Sequence, residues 1–295
     1  MSGGDYRVQL IRWFLARSDV DAAVRLLAQA PVDKPCPGEW NYIKKYWPNY
    51  FDPQAYAKVY QEAGVIEARN KDAFQLIPQL DRYKMISFVM SNLGDCKTVL
   101  DFGCSRGMWD IHLHNEFGKR WMLYDIDQTS IDEARTYVKS FARDASAFEF
   151  NVTLGDFPQL PFGSVDCVLL LEVLEHVQDP MVLLQAAEDA VRPGGAIILS
   201  VPSGPMEYTM WVDHPKRRRE HLREFEFQDL IDVLGKRTAL YIQHLTYGLE
   251  KYTGLPIGHF VVAWRKEGPL LPLGRIDWGR KLAMRPVPMV RLPGE

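Results

Sequence analysis

The sequence predicts an α/β protein: a doubly wound, mostly parallel sheet with a helical extension ahead of it. Three observations carry that reading. From Thr98 onward, short apolar runs alternate with stretches of helical length. The first of these runs ends in a glycine-rich turn. The residues before Lys97, in contrast, read as helical and rich in aromatics.

Composition bounds the rest. The chain has 295 residues, 47% hydrophobic and 25% charged, the profile of an ordinary globular protein able to bury a sizeable core. A net charge of −3 gives no global basic field to draw it to nucleic acid or anionic membrane. Cys36, Cys96, Cys104 and Cys167 form no C-x-x-C pair, so reduced thiols in a cytoplasmic compartment are expected. The start, Met1 to Asp5, lacks the layout of a signal peptide, and apolar runs such as Cys167 to Leu171 are too short to span a bilayer.

Taken in order, Tyr6 to Ala30 carries apolar residues at helical spacing, with Asp19 placed to cap a second helix within it. Pro31 to Pro53 holds Trp40, Tyr42, Tyr46, Trp47, Tyr50 and Phe51 among prolines, which suits an ordered loop or lid. Helical patterning returns over Pro53 to Ala63 and Ala73 to Leu93. Residues 1–96 are therefore expected to form a cap or lid, 97–267 the main domain, and 268–295 a tail of scattered prolines and arginines. In the main domain, strands are expected at Thr98–Phe102, Arg120–Tyr124, Ala147–Thr153, Val165–Leu171, Ala196–Val201, Tyr241–Leu245 and Phe260–Trp264, seven in all. Between them, helices are expected at Met108–Phe117, Ser130–Phe141, Met181–Ala190 and Phe227–Leu234. Right-handed crossovers make such a sheet doubly wound, and its ligands bind beyond the carboxyl ends of the strands.

At the first such end stands Asp101-Phe102-Gly103-Cys104-Ser105-Arg106-Gly107. Glycines there admit positive φ and close approach of a ligand, although the spacing is not that of a dinucleotide turn. Asp125 closes the next strand, 24 residues after Asp101, near the offset at which a carboxylate meets a ribose diol; Asp127 competes for the same role. Gly155-Asp156-Phe157 follows the third strand, where an adenine amino group would be met.

These fragments together, VLDFGCSRG at 99–107, YDID at 124–127, LGDFPQLPFGSVDCVLLLEVLEH at 154–176 and VRPGGAIILSVP at 191–202, resemble the class I S-adenosylmethionine-dependent methyltransferases, whose Rossmann-like fold they would share. The resemblance implies S-adenosylmethionine as cofactor. Asp101, Gly103 and Cys104 would lie at its methionine end, Gly107 would shape the turn, and Asp125 and Ile126 would take the ribose. Asp156 and Phe157 would flank the adenine, with Glu172 at the cofactor's edge. Arg192 to Gly195 would be a structural turn. Ser105 departs from the glycine often found at its position.

The segment Glu172-Val173-Leu174-Glu175-His176 begins where the fourth strand ends. If it turns helical, Glu172, Glu175 and His176 share one face. Two carboxylates and an imidazole, with His221 from the loop after the fifth strand or His214 as second choice, suit Mg²⁺ or Mn²⁺. The run resembles that of ubiquinone-pathway O-methyltransferases and of small-RNA 2′-O-methyltransferases, whose Glu-Tyr and His-to-Phe stretches Glu207-Tyr208 and His221 to Phe227 would match; there a cation lowers the pKa of the attacked hydroxyl. The alternative is catalysis by His176 and Glu172 without metal, with His176 as general base or loop anchor. The expected activity is O-methylation of a small molecule or sugar. Metal-dependent methylation of an RNA end, and an inactive scaffold subunit, are the rivals. Lys216 to Arg219 is the one concentrated basic patch, readable as a phosphate contact or as a solvated loop.

Overall fold

The computed structural model describes residues 10–11, 14–15, 20–29, 37–47, 50–51, 71–153, 157–203, 221–223, 225, 229–230, 240–249 and 256–265. The expected helix over Pro53 to Ala63, together with Asp156, His214, the basic run at 216–219 and the tail from 266 onward, lies outside them.

Strands β1 (Thr98–Phe102), β2 (Arg120–Asp125), β3 (Phe148–Val152), β4 (Val165–Leu171), β5 (Val191–Pro202), β6 (Leu240–Leu249) and β7 (Pro256–Arg265) lie in the order β3-β2-β1-β4-β5-β7-β6. From β3 to β5 neighbouring strands are parallel; β7 is antiparallel to both β5 and β6. The parallel strands are apolar along their length because helices cover both faces, as in β4, where Val165 and Cys167 to Leu170 are all buried. The order reverses between β1 and β4, the neighbour on one side being β2 and on the other β4. Connecting helices part to opposite faces there and leave a crevice.

The helices are α1 (Val20–Ala28), α2 (Pro37–Tyr46), α3 (Lys71–Leu76), α4 (Asp81–Ser91), α5 (Met108–Phe117), α6 (Gln128–Phe141) and α7 (Pro180–Ala190). Helix α6 starts because Asp127 accepts hydrogen bonds from the amides of Thr129 (3.3 Å) and Ser130 (3.0 Å). Asp179 does the same for α7, with Pro180 in the first turn.

The helical patterning over Ala73 to Leu93 is met by α3 and α4, divided because Pro78 cannot sit inside one helix; it falls in a 3₁₀ turn at Ile77–Gln79, and Leu80 is extended. Two expectations are corrected. The segment read as a loop between Pro31 and Pro53 contains α2, which buries Ile43 beneath its aromatics. Arg192 to Gly195 belongs to β5, where a register shift between Val165 and Cys167 accommodates it. A side chain on Gly195 would meet the Asp166 carbonyl at 2.5 Å, so only glycine lets the strands close there.

Two apolar clusters fill the space around the sheet, and α4 belongs to one of them: Tyr83, Ile86, Val89 and Met90 pack with Val99, Ile111 and Trp121. The packing therefore does not divide at residue 97. A third cluster joins Ile11, Leu15, Val20, Ala23, Leu27, Ile43, Trp47 and Tyr50 to Leu222. No helix among the described residues is long and apolar enough to cross a membrane.

Candidate active site

A cleft of about 1340 Å³ opens over the carboxyl ends of β1, β2 and β4. Its floor is the turn after β1. Gly103 adopts φ +84, and the amides of Gly103 and Cys104 both donate to the Tyr124 carbonyl, at 2.8 and 3.0 Å. A Cβ on Gly103 would lie 2.6 Å from Val173 Cγ2, so glycine is required by both conformation and space. Ser105 takes φ 52, strained for a side-chain-bearing residue, and its amide donates to Asp125 Oδ2 at 2.7 Å.

Asp125 Oδ1 accepts from the Asp127 amide at 2.9 Å, so the carboxylate is fixed at the lip of β2 with lone pairs to spare. The sequence left Asp125 and Asp127 in competition. The structure separates them: Asp127 is consumed by the α6 cap, whereas Asp125 borders the cleft. Ile126 and Phe157 line the same end, Phe157 with its ring centroid 5.4 Å from that of Phe102. Asp101, 3% exposed, borders the cleft, and burial followed by the charges of Asp110 and Asp125 pushes its carboxyl well above the usual range.

At the end of β4 the chain does not turn helical. Glu172 takes φ 58, a left-handed conformation, and residues 173–176 form turns. The expected helical face of Glu172, Glu175 and His176 is thus absent, and Glu172 stands apart from the other members of the expected metal set. Glu172 points instead to Arg82 (2.8 Å to Nη1) and Ser200 (2.7 Å from Oγ). Arg82 comes from α4, donates also to Ser200 Oγ at 3.2 Å, and stacks 4.8 Å from the Trp109 ring. It borders the cleft, yet sequence reasoning missed it: a single arginine in a helix before β1 carries no motif.

Glu175, His176 and His221 do come together, each offering a ligand atom within 4.8 Å of the others. His176 Nε2 lies 3.7 Å from the buried Glu175 carboxylate, and the two imidazoles meet edge to face at 4.7 Å. His221 is held by its neighbour: the Leu222 amide donates to the Glu175 carbonyl at 2.8 Å, and the Leu222 carbonyl accepts from the Val20 amide of α1 at 3.0 Å. Arg223 adds a bond to the Gln178 carbonyl at 2.7 Å.

A crevice floored by a glycine turn, with an acidic residue closing the second strand, is the architecture of the class I S-adenosylmethionine-dependent methyltransferases. The chain belongs to the methyltransferase-domain family, whose profile matches residues 70–239, more than half of its length. Geranyl diphosphate C-methyltransferase from Streptomyces coelicolor A3(2) shares the fold, with a TM-score of 0.51 and 15% identity over 62% of this chain and 80% of that one. Among curated proteins, the ubiquinone biosynthesis O-methyltransferase of Idiomarina loihiensis is 36% identical over 108 residues, 35% of this chain and 42% of its own. The tRNA U34 carboxymethyltransferase of Campylobacter curvus is 27% identical over 149 residues, 48% of this chain and 46% of its own. The chain spans less than half the length of these curated relatives.

Proposed function

We propose that this S-adenosylmethionine-dependent methyltransferase methylates a hydroxyl oxygen of a small molecule or sugar, with His176 as the base. The observation that carries this is His176 on the cleft wall, its Nε2 3.7 Å from the buried carboxylate of Glu175, an arrangement that stabilises an imidazolium. The acceptor oxygen attacks the sulfonium methyl in line, its proton passes to His176, and the carbon–sulfur bond breaks to leave S-adenosylhomocysteine. Positioning and exclusion of water supply most of the rate. In this reading Asp101, Gly103 and Cys104 receive the methionine end and Gly107 shapes the turn. Asp125 and Ile126 hold the ribose, and Phe157 flanks the adenine beside Asp156. Glu172 acts on the cofactor side, through its contact with Arg82. Helices α1 and α2, with His221 to Arg223, close the acceptor end as a cap.

A second reading has its own observation. The donor set of Glu175, His176 and His221, one carboxylate and two imidazoles, fits a divalent cation that would hold a vicinal diol and acidify it. Glu172 has no place in that set. A diol at the end of an RNA would then compete with a small catechol or sugar. Both readings are tested by following labelled methyl from S-adenosylmethionine to phenolic, sugar and RNA acceptors, with and without chelator. Transfer that survives His176→Ala overturns the base. Transfer indifferent to chelator, from metal-free protein, overturns the cation. Protein that binds no S-adenosylmethionine would be a scaffold rather than an enzyme.

A further inference from the structure

Behind the glycine turn lies a carboxyl group that the methyl transfer does not use. Asp110, in the first turn of α5, is fully buried, and a Cβ on Gly107 would sit 3.8 Å from its Oδ2. Neither of its oxygens meets a hydrogen-bond donor among the described residues, and neither does Asp101 Oδ1. Asp101 borders the cleft, with Asp110 against it on the protein side. Two buried carboxyl groups so short of donors cannot both stay ionised; their contact becomes a hydrogen bond only when one holds a proton.

We infer that Asp101 and Asp110 form a proton-sharing dyad that links cofactor binding to pH, with Asp110 a positioning residue acting through Asp101. The inference rests on the reading that Asp101 receives the ammonium of the cofactor's methionine end. Burial lifts Asp110 to about 7, against the lowering effect of its contact with Asp101 when that group holds a proton. Asp101 is raised as well, by burial first, then by Asp110 and by Asp125 from β2. The other titratable group at this place, the Cys104 thiol, is raised by burial and stays neutral. As pH falls through the Asp110 value of about 7, the empty dyad therefore takes up its second proton. With an ammonium in place it holds one: Asp101 faces the cation as carboxylate, Asp110 keeps its proton and donates it to Asp101, and the other proton leaves to solvent.

Calorimetry in two buffers of different ionisation enthalpy counts that proton. S-adenosylhomocysteine carries the ammonium; methylthioadenosine lacks it. At about pH 6, S-adenosylhomocysteine should release about one proton, and near none at about pH 8, with affinity weakening up to about tenfold per pH unit below the dyad's titration. Methylthioadenosine should release none. In Asp110→Asn the amide donates to Asp101 permanently and the like charge is gone, so release at about pH 6 should fall below about half a proton. Binding without release in the intact protein, equal release by both ligands, or release unchanged in folded Asp110→Asn overturns the dyad alone. Absence of any binding removes the cofactor reading and the dyad with it.

Discussion

Arg82 Nη1 lies 2.8 Å from Glu172 Oε1, tying a helix that precedes the sheet to the left-handed residue that ends β4. Through that pair, with Ser200 beneath it, α4 and the cleft wall are one structure. Arg82→Ala should lower affinity for S-adenosylhomocysteine about tenfold, the size of one charge-assisted hydrogen bond, as read by calorimetry. Arg82→Lys keeps the charge but loses the planar stack on Trp109, and should fall between the two. Combined with Glu172→Gln, the effects should be less than additive; full additivity would mean the two side chains act independently.

Ser105 bears the conformational cost of the turn. Its φ of 52 is disfavoured for any residue with a Cβ, and it is the backbone amide that donates to Asp125 Oδ2. Ser105→Gly should therefore stabilise the fold by about 0.5–1 kcal/mol, the left-handed penalty less the extra entropy of glycine in the unfolded chain. Urea unfolding measures it, and cofactor affinity should be unchanged.

Away from the cleft, Asp166 anchors the amino-terminal end of β1. Its Oδ2 accepts from the amides of Lys97 and Thr98, both at 2.8 Å, and its Oδ1 pairs with Arg192. Burial alone would raise its pKa, but Arg192 and the two amides outweigh it and hold the carboxyl below the usual range. A carboxyl depressed in the folded state stabilises above its unfolded pKa, and that contribution is lost as pH falls through the folded value. Asp166→Asn should cost about 1–3 kcal/mol at neutral pH, with the gap to the intact protein narrowing below about pH 4 in chemical denaturation.

Leu222 is fully buried among cap residues while its backbone reaches Glu175. Leu222→Ala should cost about 2–4 kcal/mol through the cavity it leaves. Val20→Pro is the finer probe: proline is tolerated at the first position of α1 but removes the donor to the Leu222 carbonyl. Histidine NMR should show the His176 to His221 ring contact loosened in Val20→Pro, with S-adenosylhomocysteine affinity retained. An unaltered ring contact would mean that the cap does not place His221.

Much of the sheet was readable because it is a local pattern. The apolar run Val165 to Leu171 and the α5 range Met108 to Phe117 follow from hydrophobic periodicity, and the glycine turn from its composition. What failed depended on backbone hand or on distance. A helical face at Glu172 to His176 was a fair inference from spacing, but Glu172 is left-handed, and its side chain meets Arg82 and Ser200, far away in sequence. Asp125 and Asp127 look alike in a string, and only the geometry of the α6 cap tells them apart. Asp110 gave no signal because a single acid in a helix usually faces water.

The Val20–Leu222–Glu175 relay has a kinetic consequence. Its contact from Val20 to Leu222 spans most of the described chain, while the parallel strand pairs and their crossover helices close shorter loops. Long loops close late, after nearer contacts have offset their own entropy. A sheet with its cofactor crevice can therefore be native before α1 docks on Leu222, and competence to bind the methyl donor should precede completion of the cap around His221 during refolding.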